Sequence, residues 1–334
     1  MLKVGLIGLG AIGRVHFDCW RRTEGAQLVA ISARDPRKLA GDWAAQDFNL
    51  GDQSSERVDL SGLATYRDAE DLIRDPAVEA VDICLPTRHH AVLAILALRA
   101  GKHVFCEKPM ALTVDACQAM IDAAGASKRQ LMIGHCLRYW PHYVHVKEAI
   151  ESGVYGRVRR ASLFRTSALP KWSSEGWLTN AAESGGVILD MHIHDVDIAR
   201  WWFGEPSAVH ARGVAENGLP LSVDALWDYP ETPAVHLHSA WDANGGEFRH
   251  GFEVVLEKAT FNYDLGATGG ALRIRQNGAD TAVPLQQPEA HQAEIEDFCA
   301  RVADPSLPER VPLEESLAAV RLALEELRQV VGRS

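Results

Sequence analysis

Apolar positions over the first 133 residues come in short β-branched runs, each followed by a longer segment with helical spacing. KVGLIG leads into AIGRVHFDCWRR, QLVAIS into a segment from Pro36, AVDICLP into HHAVLAILALRAG, and KHVFCE into a segment from Thr113, with QLMIGH last. Strand alternating with helix predicts a parallel sheet covered by helices on both faces. The polar, glycine-bounded GDQSSERVDLSG at 51–62 predicts a surface loop.

Beyond about His135 the pattern changes. A helical segment at 140–152 ends at Gly153, and RVRRASLFRT, AVHARGVA, AVHLHSAW and GFEVVLE follow as strands separated by turn residues. That is the pattern of a largely antiparallel sheet. His236 and His238 alternate with Val235 and Leu237, so they share a face, a sheet surface or a subunit interface. Amphipathic stretches at 289–302 and 313–331 predict closing helices. The 334 residues exceed the roughly 150 of one domain, and two domains are expected, 1–125 and 126–334.

Composition narrows the classes of function. Lys plus Arg number 34 against 45 Asp plus Glu, a net charge of −11, and no long basic run exists to follow a phosphate backbone, so nucleic acid is not an expected partner. Glycines interrupt the apolar run at the N-terminus, which lacks the order of a signal peptide. The later run AVLAILALRA, 91–100, is too short to span a bilayer. A cytoplasmic protein with no membrane partner is expected. The cysteines at 19, 84, 106, 117, 136 and 299 form no CxxC pair and mostly sit in apolar segments, as reduced thiols do.

Gly8, Leu9, Gly10, Ala11, Ile12 and Gly13 form a GxGxxG that follows a strand and opens a helix. The first glycine permits a tight turn, the second lets backbone approach a pyrophosphate, and the third lets helix and strand pack closely. A dinucleotide is therefore the expected cofactor. Its identity turns on the end of the second strand, where a carboxylate suits the ribose of NAD and a basic group suits the 2′-phosphate of NADP. Ala33 stands at that place, flanked by Ser32 and Arg34, with Arg37 and Lys38 one turn on. Asp35 before Pro36 reads as a helix cap. NADP is expected over NAD.

Lys102-His103-Val104-Phe105-Cys106-Glu107-Lys108-Pro109 ends an apolar strand with a charged pair, at the sheet edge where α/β proteins bind ligands. A lysine there beside a nicotinamide can donate to a substrate oxygen. GLGAIGRVH, the segment Pro86-Thr87-Arg88-His89-His90, AGKHVFCEKPM and SGGVILDMHIHDVDIARWWFG together resemble, in order and spacing over nearly the whole chain, the glucose-fructose oxidoreductase / inositol dehydrogenase / rhizopine-catabolism (Gfo/Idh/MocA) family. The resemblance implies an α/β fold with an N-terminal Rossmann doubly wound parallel sheet and a C-terminal α/β domain whose open, mostly antiparallel sheet commonly serves oligomerisation. It implies NAD(P)-dependent oxidation or reduction at a carbon of a sugar, inositol or related polyol, and a homodimer or homotetramer. By position it makes Lys108 the catalytic lysine with Asp190 and His194 as partners. It also extends cofactor binding to Pro86, Thr87, His90, Glu107 and Lys108, and implies a cis peptide before Pro109. Ala33 departs from the acidic residue of many NAD-using members, and the 51–62 loop looks longer than usual.

ILDMHIHDVD, 188–197, concentrates Asp190, His192, His194, Asp195 and Asp197. On a strand, Asp190, His192 and His194 would share a face and make a metal site. The run has no Gly or Pro from Val187 to Phe203, and Leu189, Ile193 and Val196 recur at helical spacing, so a helix is predicted. Asp190 and His194 are then i, i+4 neighbours with Asp197 beyond, and His192 points elsewhere. His194 becomes the general acid/base, Asp190 orients substrate or imidazole, and Lys108 stabilises an oxyanion. Hydride transfer requires no metal, and none is expected. Arg138, Tyr139, Trp172 and Trp177 are secondary candidates for a sugar pocket, since aromatic faces suit sugar rings. Two other readings compete with the dehydrogenase: a non-catalytic dinucleotide-binding regulator on the same fold, and an imine or enone reductase.

Overall fold

A computed structural model describes residues 1–43, 57–170, 173–230, 234–242, 246–286 and 289–332. It contains two compact units, Met1–Cys136 with Glu289–Leu317, and Leu137–Pro288 with Ala318–Ser334. Residue 125, the expected boundary, lies inside a helix of the first unit.

The first unit runs β1 (Leu2–Ile7), α1 (Ala11–Arg22), β2 (Ala26–Ser32), α2 (Pro36–Leu39), β3 (Ala64–Tyr66), α3 (Ala69–Arg74), β4 (Ala80–Ile83), α4 (His90–Arg99), β5 (His103–Glu107), α5 (Val114–Ser127) and β6 (Leu131–Gly134). The strands pair in parallel in the order β3-β2-β1-β4-β5-β6. This is the Rossmann order, with its switch point between β1 and β4. Val4, Leu6, Ile7, Val81, Ile83, Val104, Phe105, Met132 and Ile133 are completely buried, as central strands covered on both faces require. The part of the 51–62 loop from 51 to 56 lies outside the described residues.

The second unit contains α6 (Pro141–Ser152), β7 (Val158–Ala168), α7 (Ala181–Ser184), a π-helical turn at Ile188–His192 that continues as α8 (Ile193–Phe203), β8 (Ala208–Arg212), β9 (Ala215–Glu216), β10 (Leu219–Pro220), β11 (Ser222–Asp228), β12 (Val235–Asp242), β13 (Arg249–Leu256), β14 (Thr260–Asp264), β15 (Arg273–Gln276) and β16 (Ala279–Ala282). Its eight-stranded sheet has the order β16-β15-β14-β13-β7-β12-β11-β8 and is antiparallel except where β12 meets β7. Burial alternates along β7 and β11, so one face is buried and the other open. The π turn and α8 pack against the buried face at β12. His236 and His238 stand on the open face, both against Asp224 Oδ1 of β11, at 3.2 and 3.0 Å.

Helix α9 (Ala290–Ala303) belongs to the first unit; α10 (Leu313–Val331) belongs to the second from Ala318 on. Among the described residues no helix is long and apolar enough to cross a membrane, and all six cysteines are free thiols.

Candidate active site

In the first unit the glycine loop joins β1 to α1. Gly8 has φ +99°, and a Cβ there would lie 2.4 Å from the Cys84 carbonyl oxygen. A Cβ at Gly13 would lie 2.0 Å from the Gly8 carbonyl oxygen, which enforces the close approach of helix and strand. At Gly10 a Cβ would meet nothing within 4 Å. Gly10 is the N-cap of α1 and supplies no side-chain cap, so the first amides of the helix, Ala11 and Ile12 among them, lack intrahelical acceptors. Open space over free amides at a helix start is what a pyrophosphate needs.

The end of β2 decides which ribose fits. Ser32 is buried and pairs through the ladder with Ile7, and the Ala33 amide donates to the Tyr66 carbonyl. Asp35 caps α2 by accepting from the Arg37 amide at 2.9 Å, and it also accepts from the Arg37 guanidinium at 2.8 Å. The Arg37 guanidinium holds its carboxyl below the usual range. The Lys38 ammonium donates to the Leu9 carbonyl at 2.6 Å, and burial pushes its pKa down. Lys38 thus sits on the glycine loop itself, a long-range contact that local sequence does not reveal. Arg34 is exposed, and with Arg88 it lies near enough to help burial depress the pKa of His89.

The segment after β4 places Pro86 and Thr87 at the carboxyl edge of the sheet, at the start of a 3-10 turn over Thr87–His89. His90 is buried, its Nδ1 2.8 Å from the Pro109 carbonyl oxygen and its Nε2 2.7 Å from that of Leu85. Burial keeps this imidazole below its ordinary pKa in spite of those carbonyls. His90 therefore ties the turn after β4 to the loop after β5. The Lys108–Pro109 peptide in that loop is cis, as the resemblance implies. Glu107 ends β5 and accepts the Lys108 amide at 3.1 Å. Burial raises its carboxyl, but the His16 imidazole and the Lys108 ammonium outweigh that and hold it at about 2.

In the second unit, Ser184-Gly185-Gly186 turns the chain into the π turn. Gly186 has φ +62°, and a Cβ there would lie 2.6 Å from the Pro220 ring. From Ser184 to Arg200 every residue is buried except Asp190 and His194. A π turn over Ile188–His192 replaces the start of the uniform helix predicted for 188–197. His192 faces inward with no exposure, Nδ1 2.9 Å from Ser239 Oγ and Nε2 2.9 Å from Glu326 Oε2. Asp195 pairs with Arg165 at 3.3 Å. Asp197 pairs with Arg138, accepting from Nε at 2.9 Å and Nη2 at 2.7 Å.

That last pair gives Arg138 a structural partner. Its side chain is 2% exposed and its guanidinium meets Asp197 in a buried ion pair. Tyr139 is buried as well, at 5%. Trp177 is half-buried in the 3-10 turn Ser174–Thr179, and Trp172 lies outside the described residues.

The profile of the GFO_IDH_MocA oxidoreductase family, NAD-binding Rossmann fold, matches residues 2–135, and that of the GFO/IDH/MocA C-terminal domain matches 143–262. The chain belongs to the Gfo/Idh/MocA family. Among its relatives in this family, an inositol 2-dehydrogenase of Rubrobacter xylanophilus is 35% identical over 235 residues, 68% of this chain and 59% of that protein. An inositol 2-dehydrogenase of Rhizobium meliloti is 29% identical over 99% of this chain and 98% of its own length. Among solved structures, aldose-aldose oxidoreductase from Caulobacter crescentus matches with TM-score 0.83 and 24% identity, covering 100% of this chain and 98% of that one, which shows the shared fold.

Proposed function

We propose that this Gfo/Idh/MocA protein transfers hydride between NADP and a hydroxyl-bearing carbon of a sugar, inositol or related polyol, with Lys108, Asp190 and His194 as its reacting residues. The reading rests on one observation above all: in a helix otherwise buried from Ser184 to Arg200, only the two ionisable side chains Asp190 and His194 are not buried. The named activity of the inositol dehydrogenase relatives supports the substrate class.

The amides of Gly10, Ala11 and Ile12 would hold the pyrophosphate, with Pro86 and Thr87 beside it at the sheet edge. The nicotinamide, when bound, supplies the hydride acceptor or donor. Lys108 donates to the reacting oxygen and stabilises its alkoxide character. His194 takes the hydroxyl proton in oxidation and returns it in reduction, since an imidazole titrates near neutrality. Asp190 orients the substrate hydroxyls or the imidazole. The preference for NADP follows from Ala33 at the end of β2, from Arg34 beside it, and from Asp35, whose oxygens serve α2 and Arg37. A second copy of the chain is proposed to cover the open sheet face, making a homodimer or homotetramer.

The test is a screen of polyols, aldoses and inositols with NADP and NAD, followed at the absorbance band of the reduced nicotinamide. Turnover with a polyol and NADP is expected. Tight cofactor binding with no turnover on any of these would favour a non-catalytic regulator, and a clear preference for NAD would refute the cofactor assignment.

A further inference from the structure

Inside the first unit, four ionisable side chains from three elements converge. His16 comes from α1, Glu107 from the end of β5, and His291 and Glu294 from the first turns of α9. Each offers a nitrogen or oxygen, and these atoms all lie within 4.8 Å of one another. The side chains of His16 and Glu294 have no exposure, and those of Glu107 and His291 have 7% and 19%.

Protein hydrogen bonds satisfy this cluster only in part: His291 Nδ1 lies 2.9 Å from Glu294 Oε1, and Glu107 Oε2 accepts the Lys108 amide. His16 Nε2, Glu107 Oε1 and Glu294 Oε2 are buried and have no hydrogen-bond partner. His16 Nε2 and Glu107 Oε1 stand 3.2 Å apart, an ion pair while His16 is protonated, without hydrogen-bond alignment; a metal would take the place of that proton. Buried polar atoms are rarely left so, and here three converge from three residues. The other side of His16 is already arranged. Its Nδ1 lies 2.8 Å from Asp82 Oδ2, an oxygen that also accepts from Trp20 Nε1 at 2.6 Å. A carboxylate on one imidazole nitrogen fixes the tautomer that leaves the other nitrogen's lone pair for a metal.

We propose that His16, Glu107, His291 and Glu294 bind one divalent transition-metal ion, with Asp82 orienting His16 from behind. Two neutral imidazoles and two carboxylates balance a divalent charge, which removes the cost of burying Glu107 and Glu294 together. The mixed nitrogen and oxygen donors suit zinc, cobalt, manganese or iron better than magnesium or calcium, which take oxygen. A tetrahedral site with bonds near 2 Å needs ligand atoms about 3.3 Å apart, so the cluster tightens on binding, chiefly by rotation of His291 at its rim. The ion would fasten α9 to α1 and β5, a structural role that requires nothing of the proposed reaction. A regular motif could not announce the site, because its ligands come from distant stretches of chain.

The test uses the full chain, stripped with a chelator and titrated with Co²⁺, then with Zn²⁺. One Co²⁺ per chain is expected, with a visible ligand-field band that Zn²⁺ displaces and a higher melting temperature. His291→Gln, at the rim, should weaken Co²⁺ binding at least about tenfold while the apo fold is retained. Glu294→Gln should do the same, and the His291 variant decides if the Glu294 variant does not fold. His236→Gln on the open sheet face is the control and should leave Co²⁺ binding and its band unchanged. Absence of stoichiometric binding, a band that survives His291→Gln, or a band lost in the sheet-face control would each overturn the proposal; the first of these would leave the orphan atoms to ordered water.

Discussion

The Lys38 ammonium donates to the Leu9 carbonyl at 2.6 Å, so the turn after β2 is pinned to the glycine loop after β1. Lys38 and Arg34 therefore differ in what they contribute. Lys38 shapes the loop that any dinucleotide would use, whereas Arg34 is exposed next to Ala33, where the adenosine ribose is expected. Arg34→Ala should weaken NADPH by about 1.5 kcal/mol, roughly tenfold, for the loss of one charge-assisted contact, and leave NADH nearly unchanged. Lys38→Met should weaken both. Fluorescence titration with each reduced cofactor distinguishes the two effects, and equal losses for Arg34→Ala would remove it from the 2′-phosphate.

Arg138 and Asp197 form a buried bidentate pair in the second unit, with side chains 2% and 1% exposed. Removing only the guanidinium strands a buried carboxylate. Arg138→Ala should cost about 3–5 kcal/mol of stability by urea denaturation, and the double change with Asp197→Asn should recover part of that. A variant of full stability with a raised KM would instead support Arg138 as a residue of the substrate pocket.

These pairs mark where the sequence stops being legible. The parallel sheet was readable because β1, β4, β5 and β6 are buried on both faces and their apolar runs stand out. β16, ADTA, is the edge strand with every residue exposed, and β15, RIRQ, lies next to it with one apolar residue, so no apolar pattern marks them. Periodicity separated Asp190 and His194 from His192 because a buried helix face excludes what does not pack. The π turn has no local signature here, and the partners of His192, Ser239 and Glu326, lie too far along the chain for periodicity to pair them.

His192 and His194 offer a direct contrast between a buried histidine and one proposed to react. His194→Gln is expected to lower kcat by about 10²–10⁴, the range for loss of a general acid/base, without changing the melting temperature. His192→Gln replaces a side chain lodged between Ser239 and Glu326 and should instead cost about 1–3 kcal/mol of stability with kcat kept in the folded fraction. Steady-state rates measured beside thermal melts separate the two. Equal activity losses at both positions would defeat the assignment.

The acid limb of stability should depend on His250. Burial pushes its pKa well below the ordinary value, and Arg165 and His142 add to that. Its Nδ1 lies 3.1 Å from the Tyr143 hydroxyl, and Tyr263 packs against its ring at 5.3 Å between centroids. The unfolded chain takes up a proton here below about pH 6.5, whereas the folded chain does not until the pH falls to the depressed value. Stability from this residue is therefore complete above about pH 6.5 and is lost as pH falls below it, at up to about 1.4 kcal/mol per pH unit. His250→Phe removes the titration at the cost of the contact with Tyr143. In urea denaturation between pH 5 and 7.5, the variant should be less stable near pH 7 and should lose stability less steeply toward pH 5, by as much as one proton. Identical slopes for the two proteins would mean that His250 protonates as readily inside the fold as outside it.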